Sequence, residues 1–161
     1  MQNFELNSTT RTQLVLNIEN IGEIMTQNLT PSPAHIMIVD DNKMMRSFLN
    51  SFLVKKGYQV SLATDGMQAL GMLRNGAFPD LIITDIRMPG MDGMSFLDRV
   101  QASPLLREIP VVILSGQDTT ESRISCLEKG AVDVLAKPFN PMELELRLRR
   151  YLPATLLTGI A

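Results

Sequence analysis

"LIITDIRMPGMDG" spans Leu81 to Gly93. Leu81, Ile82, Ile83 and Thr84 are apolar or β-branched and lead into a single carboxylate, Asp85; the chain then breaks at Pro89, Gly90 and Gly93. An apolar run without alternation marks a strand covered on both faces. The proline and glycines mark a loop. A lone aspartate at a strand end ordinarily caps a helix or sits in a solvated turn, so its neighbours decide what Asp85 is for.

Working outward, the same pattern recurs. "HIMIVD", "YQVSLA", "DLIITD", "PVVILSG" and "VDVLA" are short apolar runs. Each is followed by residues spaced for one face of a helix. Met45, Phe48, Leu49, Phe52 and Leu53 form the first such face, stopped by "KKG" at Lys55 to Gly57. Ala69, Leu70 and Leu73 mark the second helix, Phe96, Leu97 and Val100 the third, and Ile124 and Leu127 the fourth. Leu144, Leu148, Tyr151 and Leu152 mark the fifth, with Pro141 near its start and Pro153 after its end. Repeated β-then-α units predict an α/β fold: a five-stranded parallel, doubly wound sheet with helices on both faces. Right-handed crossovers leave few topologies.

Parallel strands share one C-terminal edge. Asp40 and Asp41 end the first strand, Asp85 the third and Ser115 the fourth, and Lys137 follows the fifth. Three carboxylates, one hydroxyl and one ammonium therefore meet at one rim, where open α/β sheets bind ligands. Clustered acids are costly to keep ionised together. A hard divalent cation relieves that cost, and Mg²⁺ suits it, because it takes one or two carboxylates and shares itself with a phosphate. A carboxylate beside Mg²⁺ can attack phosphorus and form an aspartyl phosphate. The Lys137 ammonium and the Ser115 hydroxyl can serve the phosphoryl oxygens.

The whole chain agrees with such a role. Its 161 residues suit one domain with appendages. With 45% apolar and 20% charged residues, the composition is that of a soluble globular protein. A formal charge of −2 offers no basic surplus for nucleic acid. One cysteine, Cys126, excludes an internal disulfide and fits a reducing, cytoplasmic setting. The sequence holds no apolar run near the roughly 20 residues that a membrane span needs, and without a cationic start followed by an apolar core, export is not expected.

Five motifs carry a family resemblance: "VDDN" (Val39–Asn42), "ATDGMQAL" (Ala63–Leu70), "DIRMPGMDG" (Asp85–Gly93), "ILSG" (Ile113–Gly116) and "GAVDVLAKPF" (Gly130–Phe139). In this order and spacing, the chain from about His35 to Leu152 resembles the CheY-like receiver domain of two-component response regulators. The resemblance implies a flavodoxin-like sheet of order 2-1-3-4-5. It implies that Asp85 is the phosphoacceptor and that Asp41, Asp85 and the backbone carbonyl of Arg87 hold Mg²⁺, with Asp40 acting largely through water. Ser115 is then the switch hydroxyl, Lys137 the phosphate partner, and Lys137–Pro138 a cis peptide, a form that proline makes tolerable. The implied donor is a phosphohistidine on a sensor histidine kinase or a phosphotransfer protein. The implied protein is not an enzyme acting on separate substrates; it catalyses its own phosphorylation and dephosphorylation. The family often carries an aromatic switch residue three positions before the lysine; Val134 stands there and has no ring to swing. Arg87 and Gln117 occupy positions that in the family affect how fast the phosphate is lost.

Plainer readings accompany each assignment. Asp41 can simply cap the first helix. His35 begins a strand, with no partner acids or cysteines expected nearby, and reads as structural. Cys126 reads as a small, partly buried hydrophobe. Met45 fits a core face, and Met88, Met91 and Met94 read as packing around the acceptor loop. Glu143, Glu145, Arg147, Arg149 and Arg150 read as a solvated helix face, with Glu143 and Arg147 as an i,i+4 pair.

The expected organisation is an extension over 1–34, a receiver domain over 35–152 and a short apolar tail over 153–161. Leu14, Ile18, Ile21 and Met25 suggest an amphipathic helix capped by Thr9 or Thr10, while alternation of Leu14, Leu16 and Ile18 leaves a strand open. Nine residues after Leu152 leave no room for an output domain, so output is expected through a partner protein or a homodimer. The surface of the fourth helix, fifth strand and fifth helix, including Val134 and Leu146, is the expected reporter. Competing classes are a haloacid-dehalogenase-type phosphatase, a pseudo-receiver that only binds protein, and a flavodoxin-like nucleotide binder. The first usually needs a second acid two residues on, where Arg87 stands. The last needs a glycine-rich loop after the first strand, where "DDNKMM" stands.

Overall fold

The structure, a computed structural model, describes residues 32–116 and 119–153. The suggested helix or strand within 1–31, Gln117 and the tail from residue 154 onward lie outside the described residues. The elements run β1 (His35–Val39), α1 (Lys43–Lys55), β2 (Gln59–Ala63), α2 (Gly66–Arg74), β3 (Leu81–Asp85), α3 (Gly93–Ala102), β4 (Val111–Ser115), α4 (Thr120–Glu128), β5 (Asp133–Ala136) and α5 (Pro141–Arg149). The sheet order is β2-β1-β3-β4-β5, and every pairing is parallel. The expected doubly wound sheet of order 2-1-3-4-5 is therefore the observed one.

The alternation of strand side chains builds two apolar layers. Met37, Val39, Ile82, Val111, Ile113 and Val134 face α2, α3 and α4 through Leu70, Leu73, Phe96, Leu97, Val100 and Cys126. Ile36, Ile38, Leu81, Ile83, Val112, Leu114 and Leu135 face α1 and α5 through Leu49, Leu53, Leu144 and Leu148. Both faces are covered, which is why β3 and β4 read as unbroken apolar runs; all five residues of each are buried. Each helix among the described residues starts on a side-chain cap: Asn42, Asp65, Asp92, Thr119 and Asn140 each accept a backbone N–H from the first turn. Such a cap is worth about 1 kcal/mol.

Four expectations need correction. Phe48 is 48% exposed, because α1 turns Leu49 and Leu53 to the sheet and leaves Phe48 at the border. Ile124 and Leu127 are 49% and 48% exposed, and Cys126 is the buried residue of α4. That helix lies over the edge strand β5, where one narrow stripe suffices. Val134 is buried at 3%, so its side chain is not part of an exposed reporter surface. Its neighbour Leu135 takes the opposite face, which sends Val134 beneath α4. Leu146, at 59%, is exposed as expected.

The fourth correction concerns Glu145, expected in solvent but 1% exposed. Its carboxylate accepts the Tyr58 hydroxyl at 2.9 Å and pairs with Arg149 one turn on. A buried carboxylate is tolerable only when paired and hydrogen-bonded. Burial and the adjacent Glu145 push the Tyr58 hydroxyl well above the usual tyrosine range. Tyr58→Phe removes one of these bonds while keeping the ring, and is expected to cost about 1–2 kcal/mol. A lower urea midpoint at unchanged slope is the measurement; an unchanged midpoint contradicts the role. The outer pair is as expected, with Arg147 meeting Glu143 at 2.8 Å.

Candidate functional site

The C-terminal ends of β1, β3 and β5 deliver the chemistry. Asp40 follows β1 and is 2% exposed. Its N–H donates to Ala63 O at 3.2 Å, continuing the ladder by one residue. Its Oδ1 accepts the Asn42 N–H at 2.8 Å, and its carbonyl accepts Arg46 Nη1 at 2.6 Å. Asn42, not Asp41, caps α1, taking the N–H groups of Met44 and Met45 on its Oδ1 at 2.9 and 3.1 Å. The capping reading of Asp41 is thereby corrected. Its carboxylate is exposed and carries no capping duty.

Asp85 closes β3 and is 9% exposed. The backbone of Asp85 and of the next residue, Ile86, is held at both carbonyls. Thr84 Oγ1 donates to the Asp85 carbonyl at 3.0 Å, and the Gly93 N–H donates to Ile86 O at 2.8 Å. The second contact brings Gly93 so close that a Cβ there would lie 2.1 Å from the Asp85 carbonyl oxygen. The loop from Ile86 to Asp92 folds back in consequence. Met91 packs against Gly66, where a Cβ would meet Met91 Cγ at 2.8 Å. Met88 is buried, and Met91 and Met94 pack against the same core, as the packing reading expected. Met94 Sδ lies 3.6 Å from the buried Cys126 Sγ.

Lys137 follows β5, and its N–H donates to the Ser115 carbonyl at 2.7 Å. The backbone beyond it turns through a cis Lys137–Pro138 peptide. The ammonium then sits between two acids, 3.2 Å from Asp40 Oδ2 and 3.1 Å from Asp85 Oδ1. Ser115 ends β4, is 2% exposed and is paired in register with Ala136, beside Lys137. Arg87 lies two residues past Asp85 in the returning loop, with its side chain exposed.

Asp40, Asp41 and Asp85 each offer a carboxylate oxygen, and these atoms lie within 4.8 Å of one another. Burial pushes the Asp85 carboxyl above the usual carboxylate range; Lys137 works against that rise and the neighbouring Asp40 adds to it. The Lys137 ammonium meets two of the three acids, Asp40 and Asp85. The donor set is all oxygen, which suits a hard cation such as Mg²⁺. One of its acids, Asp41, remains open to solvent.

Sequence reasoning placed Asp40, Asp41, Asp85, Ser115 and Lys137 at this rim. It missed the Arg46 contact, because a cation on the first turns of a helix gives no sign of reaching back over six positions. It read Gly93 as a loop breaker, whereas its close approach to Asp85 is a packing requirement. His35, read as structural, donates its N–H to Asp80 Oδ2 at 2.8 Å and has its Nε2 3.0 Å from Ser61 Oγ, away from the rim.

Comparison with known proteins adds the family. Residues 36–149 match the model of the response regulator receiver domain. Protein PetR of Rhodobacter capsulatus is 37% identical over 124 residues, covering 77% of this chain and 51% of PetR. Response regulator MprA of a Mycobacterium species is 35% identical over 123 residues, covering 76% of this chain and 52% of MprA. The chain thus spans about half the length of these curated relatives. Among solved structures, the chemotaxis response regulator CheY4 of Vibrio cholerae superposes with a TM-score of 0.70 at 33% identity, covering 74% of this chain and 99% of that one.

Proposed function

Since the chain belongs to the response regulator receiver domain family of two-component systems, we propose that Asp85 is its phosphoacceptor and that the acid pocket works with Mg²⁺. The observation that carries the reading is the cluster itself: three carboxylates within 4.8 Å, two of them bridged by Lys137. An ammonium bridging two acids marks a place where positive charge is wanted. Asp41 and Asp85, with the Arg87 carbonyl, would hold the ion. Asp40 would act largely through water, because Asn42 N–H and Lys137 already engage its two oxygens. Mg²⁺ bound there would neutralise charge on the transferring phosphoryl group.

The protein's own groups account for the rest. An Asp85 carboxylate oxygen forms the new bond to phosphorus, and the phosphorus–nitrogen bond of a phosphohistidine donor breaks. Asp85 is desolvated by burial, and a carboxylate stripped of water is the more reactive nucleophile. Lys137, anchored through its N–H to Ser115, would transfer its ammonium from Asp85 to the phosphoryl oxygens, and the Ser115 hydroxyl would follow. The modified side chain gains about −1.5 to −2 charge and three acceptor oxygens. The loop that leaves Ser115 leads to α4, so Ile124, Leu127 and Leu146 form the reporting face, for a protein partner or a second copy. The donor is a histidine kinase or phosphotransfer protein, the setting is the cytoplasm, and the protein acts on itself rather than on a separate substrate. Among the described residues no helix is long and apolar enough to cross a membrane.

Lys137→Ala tests the division of labour. Removing the competing ammonium is expected to tighten Mg²⁺ binding by titration calorimetry. Phosphorylation by acetyl phosphate at saturating Mg²⁺ is expected to slow by about a hundredfold, the scale of losing one fixed donor to a developing charge. A wild-type rate in that variant contradicts the role of Lys137.

A further inference from the structure

One cation outside the acid pocket meets the backbone that carries it. Asp40, the residue after β1, extends the ladder toward β2 by one bond through its N–H; the parallel pairing with β3 ends at Val39 and Thr84. Its carbonyl is taken instead by Arg46 Nη1 at 2.6 Å, six residues on and one turn inside α1. A charge-assisted hydrogen bond of this length is among the stronger contacts available to a carbonyl. It closes a staple around Asp41 and Asn42. Within the staple, Asn42 both donates to Asp40 Oδ1 and caps α1, so the strand end, the cap and the buried acid are one connected unit.

We propose that Arg46 is a positioning residue for the metal pocket: its guanidinium fixes the turn that presents the Asp40 and Asp41 carboxylates beside Asp85. The inference rests on the reading of that pocket as an Mg²⁺ site. Arg46 would hold neither the ion nor the phosphoryl group; its guanidinium meets the Asp40 backbone. Electrostatics alone makes the opposite prediction. Arg46 carries a positive charge near the acids that would hold a divalent cation, so deleting that charge should favour the cation. Loss of positioning should disfavour it. The sign of the change therefore separates the two effects.

The test uses the full chain and Mg²⁺ alone, with Arg46→Met and Arg46→Lys. Thermal unfolding without metal first establishes that each variant is folded. The expected result is about a tenfold weaker Mg²⁺ affinity for Arg46→Met by calorimetry, the size typical of losing a residue that orients a ligand. Arg46→Lys, which keeps the charge and one donor, should fall between the variant and wild type. Hydrogen exchange at the Asn42 amide, measured without metal, should quicken in Arg46→Met as the turn loosens. Mg²⁺ affinity that is unchanged or tighter in Arg46→Met overturns the inference, as does unchanged exchange at Asn42. If Arg46→Met does not fold, Arg46→Lys decides: wild-type affinity and wild-type exchange there overturn it. Failure of the wild-type chain to bind Mg²⁺ at all would instead overturn the underlying reading of the pocket.

Discussion

Asp85→Asn is expected to abolish phosphoryl incorporation from a small-molecule donor and, at neutral pH, to make the folded domain more stable than the wild type. The first effect follows from chemistry, since an amide is not a competent nucleophile toward phosphorus. The second follows from burial. Desolvation raises the Asp85 carboxyl above its ordinary range in the folded state, more than Lys137 lowers it. The folded form therefore binds this proton more tightly than the unfolded chain does. By linkage, the contribution of Asp85 is most favourable below its unfolded value and is lost as pH rises through the raised folded value. Above that point the ionised side chain is a standing cost. Asparagine removes the cost at every pH, and a gain of about 1 kcal/mol is in the range found when a functional site is relaxed. Lys137 keeps Asp40 as a partner, so the substitution leaves no buried ammonium unpaired. Thermal melts of both proteins between pH 3 and 8, roughly spanning the carboxylate range, measure the effect. The gap should be widest at neutral pH and close toward acid. A variant less stable than wild type at pH 7, or one that still takes up phosphate at the wild-type rate, contradicts this account of Asp85.

Gly93→Ala should be the most damaging small substitution in the domain. The added Cβ would stand 2.1 Å from the Asp85 carbonyl oxygen and 2.9 Å from the Ile86 Cα, both of them backbone atoms. Backbone at the end of a buried strand cannot swing aside as a long side chain can, so α3 or the end of β3 has to move. The Gly93 N–H to Ile86 O bond is strained by either movement. A loss of about 3 kcal/mol, the upper range for forcing an added methyl into a packed site, is expected in urea unfolding. Because the strand end itself is displaced, phosphorylation of the folded fraction should fall as well. Gly71→Ala supplies the contrast. Gly71 lies inside α2 with nothing within 4 Å of an added Cβ, so helix propensity alone predicts a gain of about 1 kcal/mol. Equal effects of the two substitutions would mean that the close approach to Asp85 carries no weight.

The sequence made the layered sheet legible because strands covered on both faces carry unbroken apolar runs, and helices between them carry one apolar face. The rim was legible for a related reason: charges at the ends of buried runs have nowhere else to go. What stayed hidden is what periodicity does not encode. Glu145 sits on a helix rich in charge, and its partner Tyr58 is 87 positions away, so nothing local distinguishes it from its solvated neighbours. Ile124 and Leu127 have the spacing of a core stripe, yet α4 covers the narrow edge strand and buries Cys126. Val134 looked like surface because of where it stands relative to Lys137, but the alternation of β5 turns it inward. On paper Asp41 was the cap of the first helix, and nothing in the sequence pointed to Asn42 instead. The structure gives the cap to Asn42, whose N–H also holds Asp40.

The account's central claim is tested most directly by mapping the modified residue. The full chain is treated with acetyl phosphate in the presence of Mg²⁺ or a chelator, reduced with borohydride to convert any acyl phosphate to homoserine, and sequenced by tandem mass spectrometry. Homoserine at position 85, present with Mg²⁺ and absent with the chelator, is the predicted result. Homoserine at Asp40 or Asp41 instead, or none anywhere in the chain, would contradict it.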